Sequence, residues 1–211
     1  MILGILQARM SSTRLPGKVL MPIWGIPILL FMANRVQESK MIDKLVVATS
    51  INKTDTPIRE LCARHKILCF SGSLEDVLDR FYWLAQIFTP THIVRLTADC
   101  PLIDPEIIDA TINHHIRNGY DYTRNYGYPD GLDVECITFD TLCSAWKDST
   151  LPFDREHVCP FILNHPERFK LGRLENDKDL SHIKISVDTE EDYQRVKRIV
   201  EDSVEYARRV T

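Results

Sequence analysis

The chain has 211 residues, of which 44% are hydrophobic and 27% charged, and its formal net charge at pH 7 is −4. These values are ordinary for a globular domain, and the negative balance argues against a protein that coats nucleic acid through general basic charge. The sequence shows no internal repeat and no low-complexity linker, so we expect residues 1–211 to form one domain. Any site for an anion must therefore be a local concentration of cations.

The sequence shows neither a secretory signal nor a membrane span, and this predicts its cellular compartment. The opening MILGIL is too short for the apolar region of a secretory signal, and the longest apolar stretch, residues 19–33, is interrupted by Pro22, Gly25 and Pro27. The cysteines contain no C-x-x-C pair, which favours reduced thiols over a disulfide framework or a zinc site. We expect a cytoplasmic chain that binds neither membranes nor nucleic acid.

Strands and helices alternate along the sequence. Short apolar runs predict strands at residues 2–6, 45–49, 67–70, 92–97 and 183–187. Capping residues and helical spacing predict helices that begin near Pro27, Asp55, Ser73, Asp104, Phe139 and Thr189. This alternation predicts an α/β fold with a mainly parallel sheet, interrupted by an irregular loop or hairpin around residues 120–135.

The first predicted strand runs into the loop QARMSSTRLPGK, residues 7–18, which contains Arg9, Arg14, Lys18 and three hydroxyl side chains. The loop follows neither the G-x-x-x-x-G-K-[ST] nor the G-x-G-x-x-G pattern. It could be a solvated surface loop. It could also bind a triphosphate through its cations, hydroxyls and backbone N–H groups, because ligands bind at the carboxyl ends of strands in parallel sheets.

Two later predicted strands end in a carboxylate, HIVRLTAD at Asp99 and HIKISVD at Asp188. If both strands belong to one parallel sheet, the carboxylates can approach each other at its edge. Two close carboxylates are stabilised by a shared cation, and Mg²⁺ bridging to phosphate oxygens would serve. The alternative is that Asp188 caps the last helix and Asp99 begins a turn.

Three weaker clusters complete the candidates. Ser71 and Gly72 precede a helix containing Arg80 and could approach a ligand, although a plain turn and helix cap explains this block better when it is taken alone. The other two clusters are polar and lie in the least regular part of the chain. They are Asp130, Asp133 and Glu135 in DGLDVE, and Arg155, Glu156 and His157 in REH.

Together these segments resemble the cytidylyltransferases that activate 2-keto-3-deoxy sugar acids, the family that includes the CMP-Kdo and CMP-acylneuraminate synthetases. The resemblance is closest to the branch named after spore coat polysaccharide biosynthesis protein F. Its blocks are ARMSSTRLPGKVL (8–20), FSGSLEDVLDR (70–80), RLTADCPLIDP (95–105), DGLDVE (130–135), REHV (155–158) and SVDTEEDY (186–193).

The resemblance implies a Rossmann-like nucleotidyltransferase fold with helices on both faces of the sheet, CTP as donor, Mg²⁺ as cofactor and a homodimer. It also assigns residues. The nucleotide would be held by Ala8, Arg9, Ser12, Thr13, Lys18, Ser71, Gly72 and Arg80, and the metal by Asp99 and Asp188. Arg9, Lys18 and Asp99 would be catalytic, and the DGLDVE and REH clusters would face the sugar.

The function we expect is transfer of CMP from CTP to a hydroxyl of a sugar acid, with release of pyrophosphate, in surface polysaccharide biosynthesis. The chain departs from the Kdo-type G-D-E-P-L pattern, because Cys100 follows Asp99 and an acidic neighbour is absent. Two alternatives remain: a nucleotide-sugar-dependent glycosyltransferase, although D-x-D is missing at this strand end, and a non-catalytic nucleotide-binding homologue.

Overall fold

A computed structural model of the chain describes residues 1–203. The strands in this range are β1 (Ile2–Gln7), β2 (Pro22–Ile23), β3 (Ile26–Pro27), β4 (Lys44–Ser50), β5 (Leu68–Gly72), β6 (His92–Thr97), β7 (Tyr122–Tyr126), β8 (Glu135–Thr138) and β9 (Leu171–Glu175). The helices are α1 (Ile28–Gln37), α2 (Thr56–Arg64), α3 (Val77–Phe88), α4 (Pro105–Asn118), α5 (Phe139–Asp148), α6 (Pro152–His157), α7 (Pro160–Leu163) and α8 (Glu190–Asp202).

Seven of these strands form one sheet in the order β5-β4-β1-β6-β8-β7-β9. Strand β1 pairs in parallel with β4 and with β6, and β5 extends the same direction beyond β4. Only β8, within the described part of the chain, runs against its neighbours. The prediction of a mainly parallel sheet is confirmed, and β2 and β3 form a separate small hairpin.

Helices cover both faces of the sheet because successive strand residues point to opposite sides. On one face, Leu6 and Val47 pack with residues of α1, α2 and α4. On the other face, Ile5 and Val46 pack with residues of α3, α5 and α7. The strands are therefore apolar on both sides, as is typical of a parallel sheet between two helical layers.

The strand predicted at residues 183–187 is wrong. The segment makes only one isolated bridge, between Lys184 and Asp130. Its N–H groups donate elsewhere: those of Ile185 and Ser186 to the Asp130 carbonyl oxygen, and that of Val187 to the Asp99 carbonyl oxygen. The apolar alternation therefore marks a segment that is held by two loops rather than by a strand ladder.

The helix predicted to begin at Ser73 starts later, at Val77. The Ser73 hydroxyl accepts a bond from the Asp76 N–H at 3.0 Å, which forms a turn, and the Asp76 carboxylate caps the helix through the Asp79 N–H at 2.8 Å. The predicted caps Asp104 and Thr189 are confirmed. Strand β9 was not predicted, because LGRLE lacks the β-branched residues that indicate a strand.

The segment predicted as an irregular loop or hairpin, residues 120–135, contains β7, a turn and the first residue of β8. The two strands pair antiparallel inside the central sheet. Gly131 in the turn has φ +112°, and a Cβ atom there would lie 2.6 Å from the Ser186 nitrogen. Glycine is required because the turn packs directly on the backbone of the segment that leads to Asp188.

Two further sequence predictions concern cysteines and membranes. All six cysteines lie within residues 1–203 and are free thiols, and four are buried, whereas Cys69 is exposed and Cys143 is half-buried. No helix in the described range has the length and apolar character needed to cross a bilayer.

Candidate active site

The carboxyl ends of the adjacent strands β1 and β6 form the floor of the candidate site. Gln7 pairs with Thr97 at the last step of the register, and the Ala98 N–H donates to the Gln7 carbonyl oxygen at 2.9 Å. Ala8 and Ala98 therefore begin two neighbouring loops, both with buried side chains. The loop after β1 is the basic segment that was expected to bind phosphate, and the loop after β6 contains Asp99.

The basic loop is held in a fixed conformation by one bond to a residue outside it and one bond within it. The Met10 N–H donates to the carboxylate of Asp55 at 2.8 Å, and Asp55 is fully buried. At the other end, the Gly17 N–H donates to the Met10 carbonyl oxygen at 2.9 Å, with Gly17 at φ +74°. Asp55 was predicted as a helix cap, but its side chain makes no cap bond and binds this loop and Ser50 instead.

The loop and the two strand ends enclose a cavity of about 180 Å³. The lining residues are Gln7, Ala8, Arg9, Ser12, Thr13, Arg14, Lys18, Val19, Thr97, Ala98, Asp99 and Asp188. The structure thus brings together seven of the predicted nucleotide and metal residues, although one of the two strands that was expected to deliver the aspartates does not exist.

Lys18 lies at the centre of this cavity. Its ammonium is 3.0 Å from the Asp99 carboxylate and 3.1 Å from the Asp188 carboxylate, and it donates to the Val187 carbonyl oxygen at 2.7 Å. Lys18 is 8% exposed. Its Nζ therefore has all three protons directed at oxygen atoms, and one ammonium joins the two carboxylates.

Asp188 also contacts two further cations, Arg14 of the basic loop and Lys184, which sequence analysis did not assign to the site. Arg14 lies 2.8 Å from one carboxylate oxygen and Lys184 lies 3.1 Å from the other. Burial alone would raise the pKa of Asp188, but bonds from Lys184 and Lys18 hold the pKa below its usual value. The Lys184 contact was not predicted, because a strand over residues 183–187 would separate residues four apart by about 13 Å.

The second nucleotide block does not line the cavity. Ser71 and Gly72 lie at the end of β5, separated from β1 by β4. A Cβ atom at Gly72 would lie 2.9 Å from the Cγ of Arg80, so the arginine packs directly beneath the glycine. Arg80 is 1% exposed, and its Nε and Nη2 have no hydrogen-bond partner among the described residues. Burial lowers the pKa of Arg80 to about 10.

The acidic residues of DGLDVE line two cavities next to the first one. Asp133 and Glu135 line a cavity of about 210 Å³ with Arg95, Thr97 and Arg124. Thr97 also lines the first cavity, so the two are contiguous. Asp130 lines a third cavity of about 290 Å³, which shares Arg124 and Asp133 with the second.

Charges in the second cavity are paired. Arg95 bonds to Glu135, which also accepts from the Tyr122 hydroxyl at 2.6 Å. Arg124 lies 2.6 Å from Asp133, and the Nε atoms of both arginines have no partner among the described residues. Burial alone would raise the pKa of Glu135, but Arg95 and Tyr122 hold it below the usual value.

The three side chains of the REH cluster make separate contacts. Glu156 lies 3.7 Å from Arg9, at the rim of the first cavity. Arg155 turns away and bonds to Asp76 at 2.6 Å and to the Trp146 carbonyl oxygen at 2.7 Å, which joins α6 to α3 and α5. The His157 ring packs on Phe153. Only Glu156 among these three contacts a residue of the first cavity.

The donor set at Lys18 fits a magnesium ion that arrives with a nucleotide. Asp99 and Asp188 contact the same ammonium, so both carboxylates face one cation position. The described residues contain no cluster of three or more metal-binding side chains. Mg²⁺ in nucleotide sites typically uses one or two carboxylates and completes its shell with phosphate and water, which matches this pair.

The fold and the site define a Rossmann-like nucleotidyltransferase: a mainly parallel sheet between helical layers, with a basic loop and two aspartates at its carboxyl edge. The sequence model of the cytidylyltransferase family matches residues 3–210. The chain belongs to that family and is a nucleotidyltransferase.

Individual relatives agree with this assignment. The chain is 37% identical to spore coat polysaccharide biosynthesis protein SpsF of Bacillus subtilis, over 97% of this chain and 88% of that protein. It is 32% identical to the 3-deoxy-manno-octulosonate cytidylyltransferase of Geobacter sulfurreducens, over 82% of this chain and 71% of that protein. A solved cytidylyltransferase from Leptospira borgpetersenii superposes with a TM-score of 0.92 at 33% identity, covering 96% of this chain and 87% of that one.

Proposed function

We propose that this protein transfers CMP from CTP to a hydroxyl group of a 2-keto-3-deoxy sugar acid and releases pyrophosphate, as a magnesium-dependent step in surface polysaccharide biosynthesis. The observation that supports this most directly is the first cavity, where the basic loop faces two aspartates across a shared ammonium. Phosphate chemistry needs cations for the leaving group and carboxylates for a divalent metal.

The donor would lie along the basic loop. Arg9 and Lys18 would neutralise the charge that develops on the departing pyrophosphate, while Ser12 and Thr13 line the same cavity and can donate hydrogen bonds. Asp99 and Asp188 would hold Mg²⁺, which when bound supplies Lewis-acid polarisation of the phosphate oxygens. Positioning and electrostatic stabilisation would account for most of the rate.

The nucleoside end would extend towards Ser71, Gly72 and Arg80. Arg80 is 1% exposed and its Nη1 donates to the Ser73 carbonyl oxygen at 3.2 Å. It would therefore fix the strand end against which the nucleoside lies. The glycine keeps the strand end free of a side chain directly above Arg80.

The sugar would occupy the second and third cavities. The second shares Thr97 with the first cavity, and the third shares Arg124 and Asp133 with the second. Arg124 lines both of them and 41% of its side chain is exposed, so its guanidinium can contact a sugar carboxylate. Asp130, Asp133 and Glu135 line the same space and can accept bonds from sugar hydroxyls. Glu156 would lie near the donor through Arg9, whereas Arg155 and His157 are placed to support α6. We further propose that the protein acts as a homodimer.

The experiment is a pyrophosphate-release assay with CTP, UTP or ATP and a panel of 2-keto-3-deoxy acids, with and without Mg²⁺. We expect CTP-dependent release that requires both metal and sugar acid. Release of free nucleotide from a nucleotide-sugar would instead favour a glycosyltransferase, and tight CTP binding without turnover would favour a non-catalytic homologue.

A variant of Asp99 tests whether the aspartates bind the metal. Asp99→Asn should raise the Mg²⁺ concentration needed for half-maximal release, because one of two carboxylate ligands is lost. The matched control is Asp148→Asn, whose side chain pairs with Arg168 on the surface. Unchanged magnesium titration in a folded Asp99→Asn protein would remove the aspartate pair from the mechanism.

A further inference from the structure

The cation position between Asp99 and Asp188 is filled by the chain itself. The Lys18 ammonium makes contacts of 3.0 Å and 3.1 Å with the two carboxylates and is held from a third side by the Val187 carbonyl oxygen. A metal ion that contacts both carboxylates needs the space that the ammonium occupies. The two cations also repel each other strongly at such separations.

Other cations near Asp188 also compete with a metal ion for its carboxylate. Asp188 contacts Lys18 and Arg14 through one oxygen and Lys184 through the other. Lys184 in turn contacts Asp192 at 2.8 Å. In the free chain, both oxygens of Asp188 are therefore already paired with cations, and a divalent ion gains little by entering alone.

A bound triphosphate would offer Lys18 other anionic partners than the two aspartates. Arg9, Arg14 and Lys18 line the cavity in which its oxygens would lie, and phosphate oxygens are strong acceptors for ammonium and guanidinium groups. Lys18 is the cation in contact with both aspartates, so its transfer to a phosphate oxygen would free both of them in one movement. The incoming nucleotide supplies the negative charge that compensates for the added metal.

We propose that Lys18 holds the metal position in the free protein, so that a divalent ion binds there only when a nucleotide has drawn the lysine away. This inference rests on the proposed function for the identity of the nucleotide. It extends that function by making metal affinity dependent on the donor. Lys18 would thus keep the aspartates in place in the free state and serve the phosphates in the bound state.

The test measures Mn²⁺ binding to the full chain by the electron paramagnetic resonance signal of free Mn²⁺, without nucleotide. Lys18→Met should bind Mn²⁺ about tenfold or more tightly than the unchanged chain, because the competing ammonium is gone. Lys184→Met is the matched control. It also removes one ammonium from Asp188 but leaves Lys18 between the carboxylates, so its affinity should change much less.

Several results would overturn the proposal. Lys18→Met could bind no more tightly than the unchanged chain, or Lys184→Met could gain as much. Circular dichroism checks that each variant is folded, and Lys18→Gln replaces Lys18→Met if the latter is not. The response to α,β-methylene CTP gives an independent test. After the Mn²⁺ bound by the analogue alone is subtracted, adding the analogue should raise Mn²⁺ affinity more in the unchanged chain than in Lys18→Met. Equal gains in the two proteins would contradict the inference.

These measurements separate the inference from the proposed function. They require no turnover, so a chain that releases pyrophosphate from CTP but shows no gain in Lys18→Met would lose only the inference. A chain that shows the gain in Lys18→Met but does not use CTP would lose the proposed function and keep the competition between lysine and metal.

Discussion

Two clusters of carboxylates and cations lie at neighbouring positions on the sheet, and they differ in how completely they are closed. In the first, the side chains of Asp99 and Asp188 are 30% and 19% exposed and share the Lys18 ammonium at the edge of an open cavity. In the second, Glu135 is enclosed by Arg95 and Tyr122, with 11% of its side chain exposed.

The difference indicates which charges can be exchanged. At an open cavity, a carboxylate can change its partner when a ligand arrives if its partners are lysine ammonium groups on flexible side chains. A buried carboxylate that is fixed by a guanidinium and a phenol cannot lose a partner without leaving an unpaired charge. The first cluster therefore fits the binding role that we propose for it, whereas the Glu135 cluster fixes the sheet beside the first cavity.

The largest effect should come from breaking the closed cluster. Glu135→Leu leaves Arg95 buried without its carboxylate and should lower the free energy of unfolding by about 3–5 kcal/mol. Urea denaturation measures the loss. The double variant Arg95→Met with Glu135→Leu should recover much of it, because a matched apolar pair removes the unpaired charge. Equal losses in the single and double variants would show that the ion pair is not the cause.

Breaking the open cluster should affect turnover more than stability. Lys18→Ala removes a cation from the leaving group and should reduce pyrophosphate release by about 10²–10³-fold. Its loss of stability should be smaller than that of Glu135→Leu, since Asp188 keeps Arg14 and Lys184. The exposed Lys53→Ala serves as control. Near-normal release by a folded Lys18→Ala protein would exclude the loop from catalysis.

His115 provides a third case for the comparison, because it is a buried base without a counter-ion among residues 1–203. It is fully buried, with Nδ1 2.9 Å from the Thr123 hydroxyl, and burial lowers its pKa to about 4, helped by His92 and His114. As the pH falls, His115 therefore takes up a proton near pH 6.5 in the unfolded chain but only near pH 4 in the folded chain.

Stability should accordingly be highest above pH 6.5 and fall by about 3 kcal/mol as the pH decreases to about 4. Urea denaturation at several pH values measures this slope. His115→Gln should flatten it, even if the variant is less stable at neutral pH. A slope that is unchanged in His115→Gln would assign the acid sensitivity to other groups.

The smallest effect concerns the cap next to Asp188. The Thr189 hydroxyl accepts from the Asp192 N–H at 3.2 Å, and Asp192 in turn accepts from the Thr189 N–H. Thr189→Ala should lower stability by about 1 kcal/mol, whereas Thr189→Ser should be close to the unchanged chain. Thermal unfolding of the two variants gives the difference. A larger loss of turnover than of stability would mean that the cap also positions Asp188.

Local patterns predicted the elements that depend on nearby residues. Strand β6 was predicted at residues 92–97 as observed, and the caps Asp104 and Thr189 follow from spacing alone. The approach of Asp99 to Asp188 was also anticipated, but for the wrong reason. The Val187 N–H donates directly to the Asp99 carbonyl oxygen, and no strand delivers Asp188.

Contacts between distant parts of the chain were not predicted. The Asp55 carboxylate holds a loop 45 residues away, and its sequence context is that of an ordinary helix cap. The contact of Lys184 with Asp188 was missed for a different reason, because residues 183–187 were predicted to be an extended strand. The resemblance to known cytidylyltransferases indicated which residue types belong together, whereas the Lys18 bridge required coordinates.

The position of β1 has a consequence for how the molecule moves. This strand is bonded on both sides, to β4 and to β6, and Leu3, Ile5 and Leu6 are fully buried. Its amide protons should exchange with deuterated water only when the whole domain opens. The basic loop continues from β1, and its Ala8 and Met10 N–H groups donate to the Ala48 carbonyl oxygen and to the buried Asp55 carboxylate. A boundary in exchange rate should therefore fall after Met10, between these protected amides and the faster ones of residues 11–14.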